Sequence, residues 1–541
     1  MQYKEVCRIL GKYLLLYSAI LTVPFIIALY YHFFSPQVQG NHSLAFLKSI
    51  VTCLILSGIF IFIGQKTKGN LFRKESIFLV VLIWVMTAFV SALPFYFSNT
   101  LNFLDSYFES VSGLTSTGAS MMYPKVYDNN NKEIPIKLTN THVPDVTYSF
   151  YGTIAPIKDN NGKVLFTGIE AVSKDILFWR SFIQWLGGMG IVLLFLAVLP
   201  ALAIGGKFLF QAEVPGPTKD TFVPRIKETS SILWKIYLFL TIAQVYLLIW
   251  TNREMPLIDA FCISFSSLSS GGFALKNASI AAYHNVWTEW IVIIFMFLAS
   301  INFAIYFNLF RGKFSILRDR DFLFFVSIVL IGVFFTVYPL VGTEQYNLDG
   351  TKTIYTLSSA IRDGTFQLIS AQSTTGFVTQ NYDLWPYSSQ IVMLIFMYVG
   401  GMASSTAGGI KTSRFFILAQ IIRNRLNTIF KPEQVKTLKL GNIEVSDNVS
   451  MTIFSFFTLF VVASVISIIL LVFSGIDPET SSGLVACMVN NIGMAFRAAG
   501  PDGSFCILSS FGKMLSIFLM LLGRLEFFAV ILLFLPKFWK E

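Results

Sequence analysis

Ten apolar runs, each of about 20 residues or more, occupy positions 10–33, 44–64, 77–98, 177–202, 232–250, 286–310, 322–341, 389–410, 451–474 and 512–535. A helix needs that length to cross ~30 Å of hydrocarbon, where the backbone must satisfy its own N–H and C=O groups. The chain is therefore expected to be an all-α polytopic membrane protein of ten transmembrane helices. Composition agrees, since 54% of residues are hydrophobic and only 13% charged, against roughly 25% charged in soluble domains. The first run follows Lys4, Arg8 and Lys12, outlasts a signal-peptide core and lacks an A-x-A site. It is expected to stay as an uncleaved span.

A formal net charge of +10 could serve nucleic acid if it lay on one arm or stripe. Instead the basic residues cluster at Lys4/Arg8/Lys12, Lys66/Lys68/Arg73/Lys74, Lys207/Lys219/Arg225/Lys227, Arg311/Lys313/Arg318/Arg320, Lys411/Arg414/Arg423/Arg425 and Lys537/Lys540. These are both ends and every second loop, so the positive-inside rule places both termini in the cytoplasm and no nucleic-acid partner is expected. The five cysteines form no CxxC pair and read as buried small hydrophobes. His32, His42, His142 and His284 fall in outward loops or at their edges. No haem or metal pair can be built from them inside a membrane, and enzyme chemistry is not expected.

The outward loops carry four runs too short to span, each ending in a polar turn with glycine: SYFESVSGLTSTGAS, AFCISFSSLSSGGFA, GTFQLISAQSTTGFV and GLVACMVNNIGMAF. Aligned on Gly118, Gly272, Gly376 and Gly493, they form a repeat. Thirteen positions earlier stand Asp105, Asp259, Asp363 and Thr480, the last preceded by Glu479; six positions earlier stand Ser112, Ser266, Ser370 and Cys487. A carboxylate or hydroxyl at a helix start caps free N–H groups and complements the dipole. Each segment is thus expected to be a re-entrant pore half-helix that enters from outside and ends inward at its glycine. Eight spans then pair into four helix, pore helix, helix repeats around one pore. The divisions are an N-terminal hairpin over 1–70 and repeats over 71–206, 207–313, 314–440 and 441–541.

Four inward half-helix C-termini aim partial negative charge at one axis, where glycine turns can present carbonyls to a dehydrated cation. The candidate ligand turns are Thr115, Ser116, Thr117, Gly118; Ser269, Ser270, Gly271, Gly272; Ser373, Thr374, Thr375, Gly376; and Asn490, Asn491, Ile492, Gly493. Hydroxyls without carboxylates favour a K⁺-like ion over Ca²⁺ or Mg²⁺.

With these turns, the segments WRSFIQWLGGMGI (179–191), AEVPGPTKDTFVPRIKET (212–229), GGMASSTAGGIKTSR (400–414), KLGNIEVSD (439–447) and GRLEFF (523–528) resemble the Trk/Ktr/HKT potassium transporter family, most closely the membrane subunit of its bacterial Trk branch. The likeness covers nearly the whole chain. It implies K⁺ as transported ion, a homodimer in a bacterial inner (plasma) membrane, no organic cofactor, and control by a cytosolic nucleotide-binding ring of the RCK type. Two features depart from the family pattern. A polar insertion at 121–174 follows the first turn, expected as an extracellular cap with a hairpin at Asn161-Gly162, and the fourth turn lacks the usual Pro-Gly after its glycine.

Two elements are candidate gates. Arg524 lies in the last apolar run, about 13 residues or ~20 Å of helix from Lys537, too deep to snorkel, and the resemblance places it on the conduction path. Its alternative is a structural role, paired with a carbonyl or, less favourably for residues two apart, with Glu526. The stretch Gly400, Gly401, Ser404, Ser405, Thr406, Gly408, Gly409 and Lys411 interrupts a span with small residues and is expected to unwind into an intramembrane loop, close helix packing being the alternative. GGIKTS lacks the contiguous G-K-[ST] of a phosphate loop. A secondary symporter with alternating access is the competing function, but its repeats should alternate in orientation.

Overall fold

A computed structural model describes residues 2–35, 37–65, 71–139, 146–190, 226–346, 352–430, 438–440, 443–445 and 447–540. Helices α1 (Tyr3–Phe33) and α2 (Ser43–Ile63) form a hairpin. They meet where Gly11 leaves no room for a side chain beside Ile61 and where the Ser57 hydroxyl donates to the Gly11 carbonyl at 2.7 Å. Small residues let helices approach this closely when hydrophobicity alone gives them no reason to associate. The hairpin joins α3 (Arg73–Phe97) through buried Tyr13–Thr87 and Tyr17–Ser91 hydroxyl pairs at 2.6 and 2.5 Å.

Four units follow. The first is α3, α4 (Phe103–Leu114) and α5 (Lys174–Gly188); the second is α6 (Ile226–Thr251), α7 (Leu257–Leu268), α8 (Val286–Ala299) and α9 (Phe303–Phe310). The third is α10 (Arg320–Val337), α11 (Leu357–Gln372), α12 (Tyr387–Tyr398) and α13 (Thr412–Phe430); the fourth is α14 (Asp447–Phe473), α15 (Pro478–Asn490), α16 (Ser510–Arg524) and α17 (Phe528–Ile531). In each unit the short helix packs on both flanking helices. Each unit's later helix also packs on the next unit's short helix: α5 on α7, α8 on α11, α12 on α15, and α16 back on α4. The four units therefore close into a ring in chain order.

Among the described residues six helices, α1, α2, α3, α6, α10 and α14, are long and apolar enough to cross a bilayer, and up to eight spans result if two bent pairs are included. The bends correct the reading of unbroken spans. The 286–310 run turns by 94° between α8 and α9, and the 512–535 run turns by 116° after α16. The 389–410 run is helical only to Tyr398. Within 177–202 the helix stops at Gly188, and residues from 191 to 225 lie outside the described ones, as do Lys66, Lys68, Lys207, Lys219 and Arg225.

The insertion departs from all-α structure. It contains antiparallel ribbons β1/β2 (Val126–Tyr127 with Glu133–Ile134), β3/β4 (Ile136–Thr139 with Thr147–Phe150) and β5/β6 (Ile157–Lys158 with Val164–Phe166). The last closes through the expected turn, with Gly162 at φ +78° and its N–H donating to Asp159 O at 2.8 Å. Tyr148 of β4 donates its hydroxyl to Asp477 Oδ2 at 2.6 Å, and Asn277 of the second unit donates to Thr167 O at 2.9 Å. The insertion thus ties the first unit to its neighbours on both sides.

Candidate functional site

The helix-end turns repeat one local design. The carbonyl six residues before each glycine accepts the amide just before it: Thr117 N to Ser112 O at 2.8 Å, Gly271 N to Ser266 O at 2.8 Å, Thr375 N to Ser370 O at 2.9 Å, Ile492 N to Cys487 O at 2.9 Å. In the first and third units the same serine returns its hydroxyl to the carbonyl after the glycine, Ser112 to Ala119 O at 2.6 Å and Ser370 to Phe377 O at 2.7 Å. The recurrence six positions before glycine is thus the turn's own clamp.

Two residues before the glycine the backbone is left-handed in all four turns, at Ser116, Ser270, Thr374 and Asn491 with φ from 55 to 58°. For β-branched Thr374 this conformation is strained, and such strain persists only where surrounding structure over-determines it. Gly118, Gly272 and Gly376 repeat the positive φ at 85, 69 and 85°, whereas Gly493 is absent from that region, so the fourth turn differs in backbone as in sequence.

The glycines meet around one ring. A Cβ on Gly118 would fall 2.0 Å from Gly271 O, one on Gly272 1.9 Å from Thr375 O, one on Gly376 2.6 Å from Gly493 N, and one on Gly493 2.9 Å from Thr117 O. In every turn the three residues before the glycine are buried, while the glycine itself is partly accessible. Four helix C-termini, with their partial negative charge, end at this accessible ring. All sixteen candidate residues are therefore gathered at one place.

The loop from Gly400 to Lys411 lies against these turns and is not a helix. Gly408 N donates to Thr374 Oγ1 at 2.7 Å, Gly409 N to Asn490 O at 3.1 Å, and the Ser270 and Thr406 hydroxyls lie 3.1 Å apart. It also fills the break between α8 and α9: Met402 N donates to Ser300 O at 2.9 Å, Phe303 N to Ser404 O at 3.1 Å, and Thr406 Oγ1 to Ala299 O at 3.0 Å. Gly400 O accepts from Gln372 Nε2 at 3.2 Å, Ser405 Oγ donates to Met402 O at 2.6 Å, and buried Lys411 folds back to Ala407 O. Gly401 has no space for a Cβ between Ala407 and Ser300.

Arg524 reaches the same loop from the fourth unit. Its guanidinium donates to Thr406 O at 3.3 Å and to Gly187 O and Gly188 O at 2.6 and 2.8 Å, so loop, first unit and last unit meet on one cation. The helix ends at Arg524, which removes the expected ~20 Å of straight helix to Lys537. Carbonyl pairing, the structural alternative, is present, and the Glu526 carboxylate accepts from Arg414 at 2.7 Å.

The expected caps are displaced. Asn102 and Asp477, three residues before Asp105 and Thr480, accept the first-turn amides at 2.9 Å, and Pro256 occupies the same place before Asp259. Asp105, Asp259 and Thr480 lie inside the first turn. The third short helix starts earlier, with a Thr356/Ser359 capping box, so Asp363 is interior and accepts from Arg362 and Gln345.

Sequence reasoning also missed side chains that brace the ring. Gln184 donates to Gly271 O at 2.6 Å and accepts from Phe273 N at 3.1 Å, while Asn491, already among the candidate residues, braces the ring by donating to Thr117 Oγ1 at 3.0 Å. Cations cross the unit boundaries as well: Arg362 to Glu289 at 2.9 Å, Arg497 to Asp383 at 2.9 Å, and Lys513 to Asp105. Gln184 stands in WRSFIQW, the one signal that could have drawn attention to it.

The family model of the cation transport protein TrkH matches residues 157–541. The Trk system potassium uptake protein TrkH of Salmonella typhimurium is 30% identical over 546 residues, covering 100% of both chains. The Trk system potassium uptake protein TrkG of Escherichia coli strain K12 is 30% identical over 99% of each chain. The crystal structure of the potassium transporter TrkH from Vibrio parahaemolyticus superposes with a TM-score of 0.79 at 26% identity, covering 100% of both chains. The chain therefore belongs to the TrkH family of cation transport proteins, a membrane transporter family and not an enzyme family.

Proposed function

We propose that the chain is the ion-conducting membrane subunit of a bacterial Trk-type potassium uptake system. K⁺ enters from the side of the insertion, sheds water against the carbonyls of the four turns, and leaves past Arg524 and the loop at 400–411. One observation carries this reading: four fully packed turns expose only their glycines, on one closed ring of helix C-termini. A backbone ring of this kind replaces the hydration shell of a monovalent cation without a carboxylate. Arg524 and the loop supply a removable barrier beneath it, fixed charge on one side and backbone anchored on the Thr374 hydroxyl on the other.

The subunit works as a homodimer in the inner membrane with both termini cytoplasmic, and a nucleotide-binding ring of the RCK type sets how often the loop releases. The relatives' names as parts of a Trk system support a multicomponent assembly. The test is isotopic K⁺ uptake into vesicles holding the purified chain, with and without the ring and with imposed H⁺ or Na⁺ gradients. Saturable K⁺ uptake that exceeds Na⁺ uptake supports the reading. Uptake with no K⁺ preference rejects the filter, and strict dependence on one of the gradients would favour coupled symport.

A further inference from the structure

We propose that the buried Glu109–Arg180 pair is a positioning device that locks the first and second turns to each other and so sets how sharply the ring separates K⁺ from Na⁺. The proposal rests on the filter reading above. Glu109 on α4 is wholly buried, and Arg180 on α5 nearly so. Glu109 Oε1 accepts from Arg180 Nε at 2.6 Å and from Ser120 Oγ at 3.0 Å, while Oε2 accepts Met121 N at 2.8 Å. Both acceptor oxygens thereby hold the segment that leaves Gly118. Arg180 carries the connection across the unit boundary, where Nη1 donates to Ala274 O at 2.9 Å and the guanidinium carbon sits over the Phe273 ring, 3.6 Å from its centroid. Phe273 and Ala274 are the residues that leave Gly272.

The pair is specific to this boundary. Nine residues before the other glycines stand Ile263, Gln367 and Leu484, so a buried carboxylate occurs at this register position only in the first unit. Apolar residues fill the same place in two units, and a packed apolar substitute for a buried ion pair often costs a protein little stability. What two neutral residues cannot supply is the rigid five-point geometry that spans two turns. Discrimination between ions of different size depends on how far carbonyls shift when the smaller ion binds, and a braced pair of turns shifts less.

The experiment compares wild type, Arg180→Lys, and the double variant Glu109→Gln/Arg180→Met, each purified, checked for monodispersity and thermal stability, and assayed for isotopic K⁺ and Na⁺ uptake in vesicles. Single removal of Glu109 is avoided because it strands a buried charge. The double variant should assemble, yet its K⁺ over Na⁺ ratio should fall about tenfold, the equivalent of ~1.4 kcal/mol. Arg180→Lys keeps the charge but loses the guanidinium over Phe273 and the second nitrogen that reaches Ala274 O, and should lie between. A wild-type ratio in either folded variant overturns the proposal, and Arg180→Lys decides alone if the double variant does not assemble. A wild type without K⁺ preference would instead reject the filter reading itself.

Discussion

At the scale of the residue, the glycines of the ring are unequal, and their inequality can be measured. Gly376 sits at φ +85°, and a Cβ there would press on the Gly493 backbone at 2.6 and 2.8 Å. Gly376→Ser therefore has to move two turns, and strain of about 1–3 kcal/mol is expected from the backbone conformation alone. Gly493 is outside the left-handed region and its nearest contact is the Thr117 backbone oxygen at 2.9 Å, so Gly493→Ser must also move backbone but carries no strain from its own conformation. K⁺ over Na⁺ uptake and thermal stability should fall in both, and further in Gly376→Ser, which adds conformational strain to a closer contact. Gly342→Ala, with positive φ but no atom within 4 Å of the new Cβ, separates backbone strain from crowding in the ring. Equal ratios in wild type and a folded Gly376→Ser would remove Gly376 from the ion path.

At the scale of the element, the loop and Arg524, the gate of the proposed function, are joined by hydrogen bonds that a single substitution can loosen. A fixed positive charge 4 Å from a passing cation costs ~1 kcal/mol in bulk water and ~4 kcal/mol at an effective dielectric of 20. Arg524→Ala should therefore raise maximal K⁺ uptake by about fivefold or more. Thr406→Val removes the hydroxyl contacts to Ala299 O and Ser270 without shortening the loop, and should raise uptake as well. The double variant should gain less than the two effects combined, because both act on one contact between Arg524 and the Thr406 carbonyl. Lower uptake in assembled Arg524→Ala would make this arginine a brace for α5 through Gly187 and Gly188 and not a gate. The turns and the loop could be read from sequence because their causes are local: a serine six residues before glycine clamps its own turn, and a glycine-rich stretch cannot hold a helix. The helix breaks could not. Ser300–Asn302 bends because the distant loop claims Ser300 O and Phe303 N, and the chain after Arg524 turns where buried Phe527 packs between Phe456 and Phe460 at 5.5 and 5.3 Å. An average over the surrounding apolar run hides the few polar residues at each break, Ser300 and Asn302 at the first and Arg524 and Glu526 at the second. The caps differ for a smaller reason, since Asn102, Pro256 and Asp477 start their helices three residues before Asp105, Asp259 and Thr480.

At the scale of the whole molecule, a fourfold ring made from one chain has four different boundaries, and under the proposed function control acting from one face has to reach the loop in the third unit. Helix α13 continues directly from that loop, since Thr412 N donates to Gly401 O at 3.1 Å and the helix runs on to Phe430. Arg423 and Arg425 are exposed on it, beside Ile422 and Leu426 at 54% and 55% exposure. A partner that pulls on α13 thus has a lever connected by backbone to the residues under Thr374 and Asn490. Charged rims steer association and set its salt dependence more than its final affinity. If the regulatory ring docks here, Arg423→Glu/Arg425→Glu should slow its binding about tenfold or more at low ionic strength, with a smaller deficit at high salt, while K⁺ uptake by the isolated subunit stays at the wild-type level. Surface plasmon resonance of purified ring over immobilised subunit, at two salt concentrations, measures both. Unchanged association at low salt would move the docking surface away from α13 and leave the loop to be reached by another route.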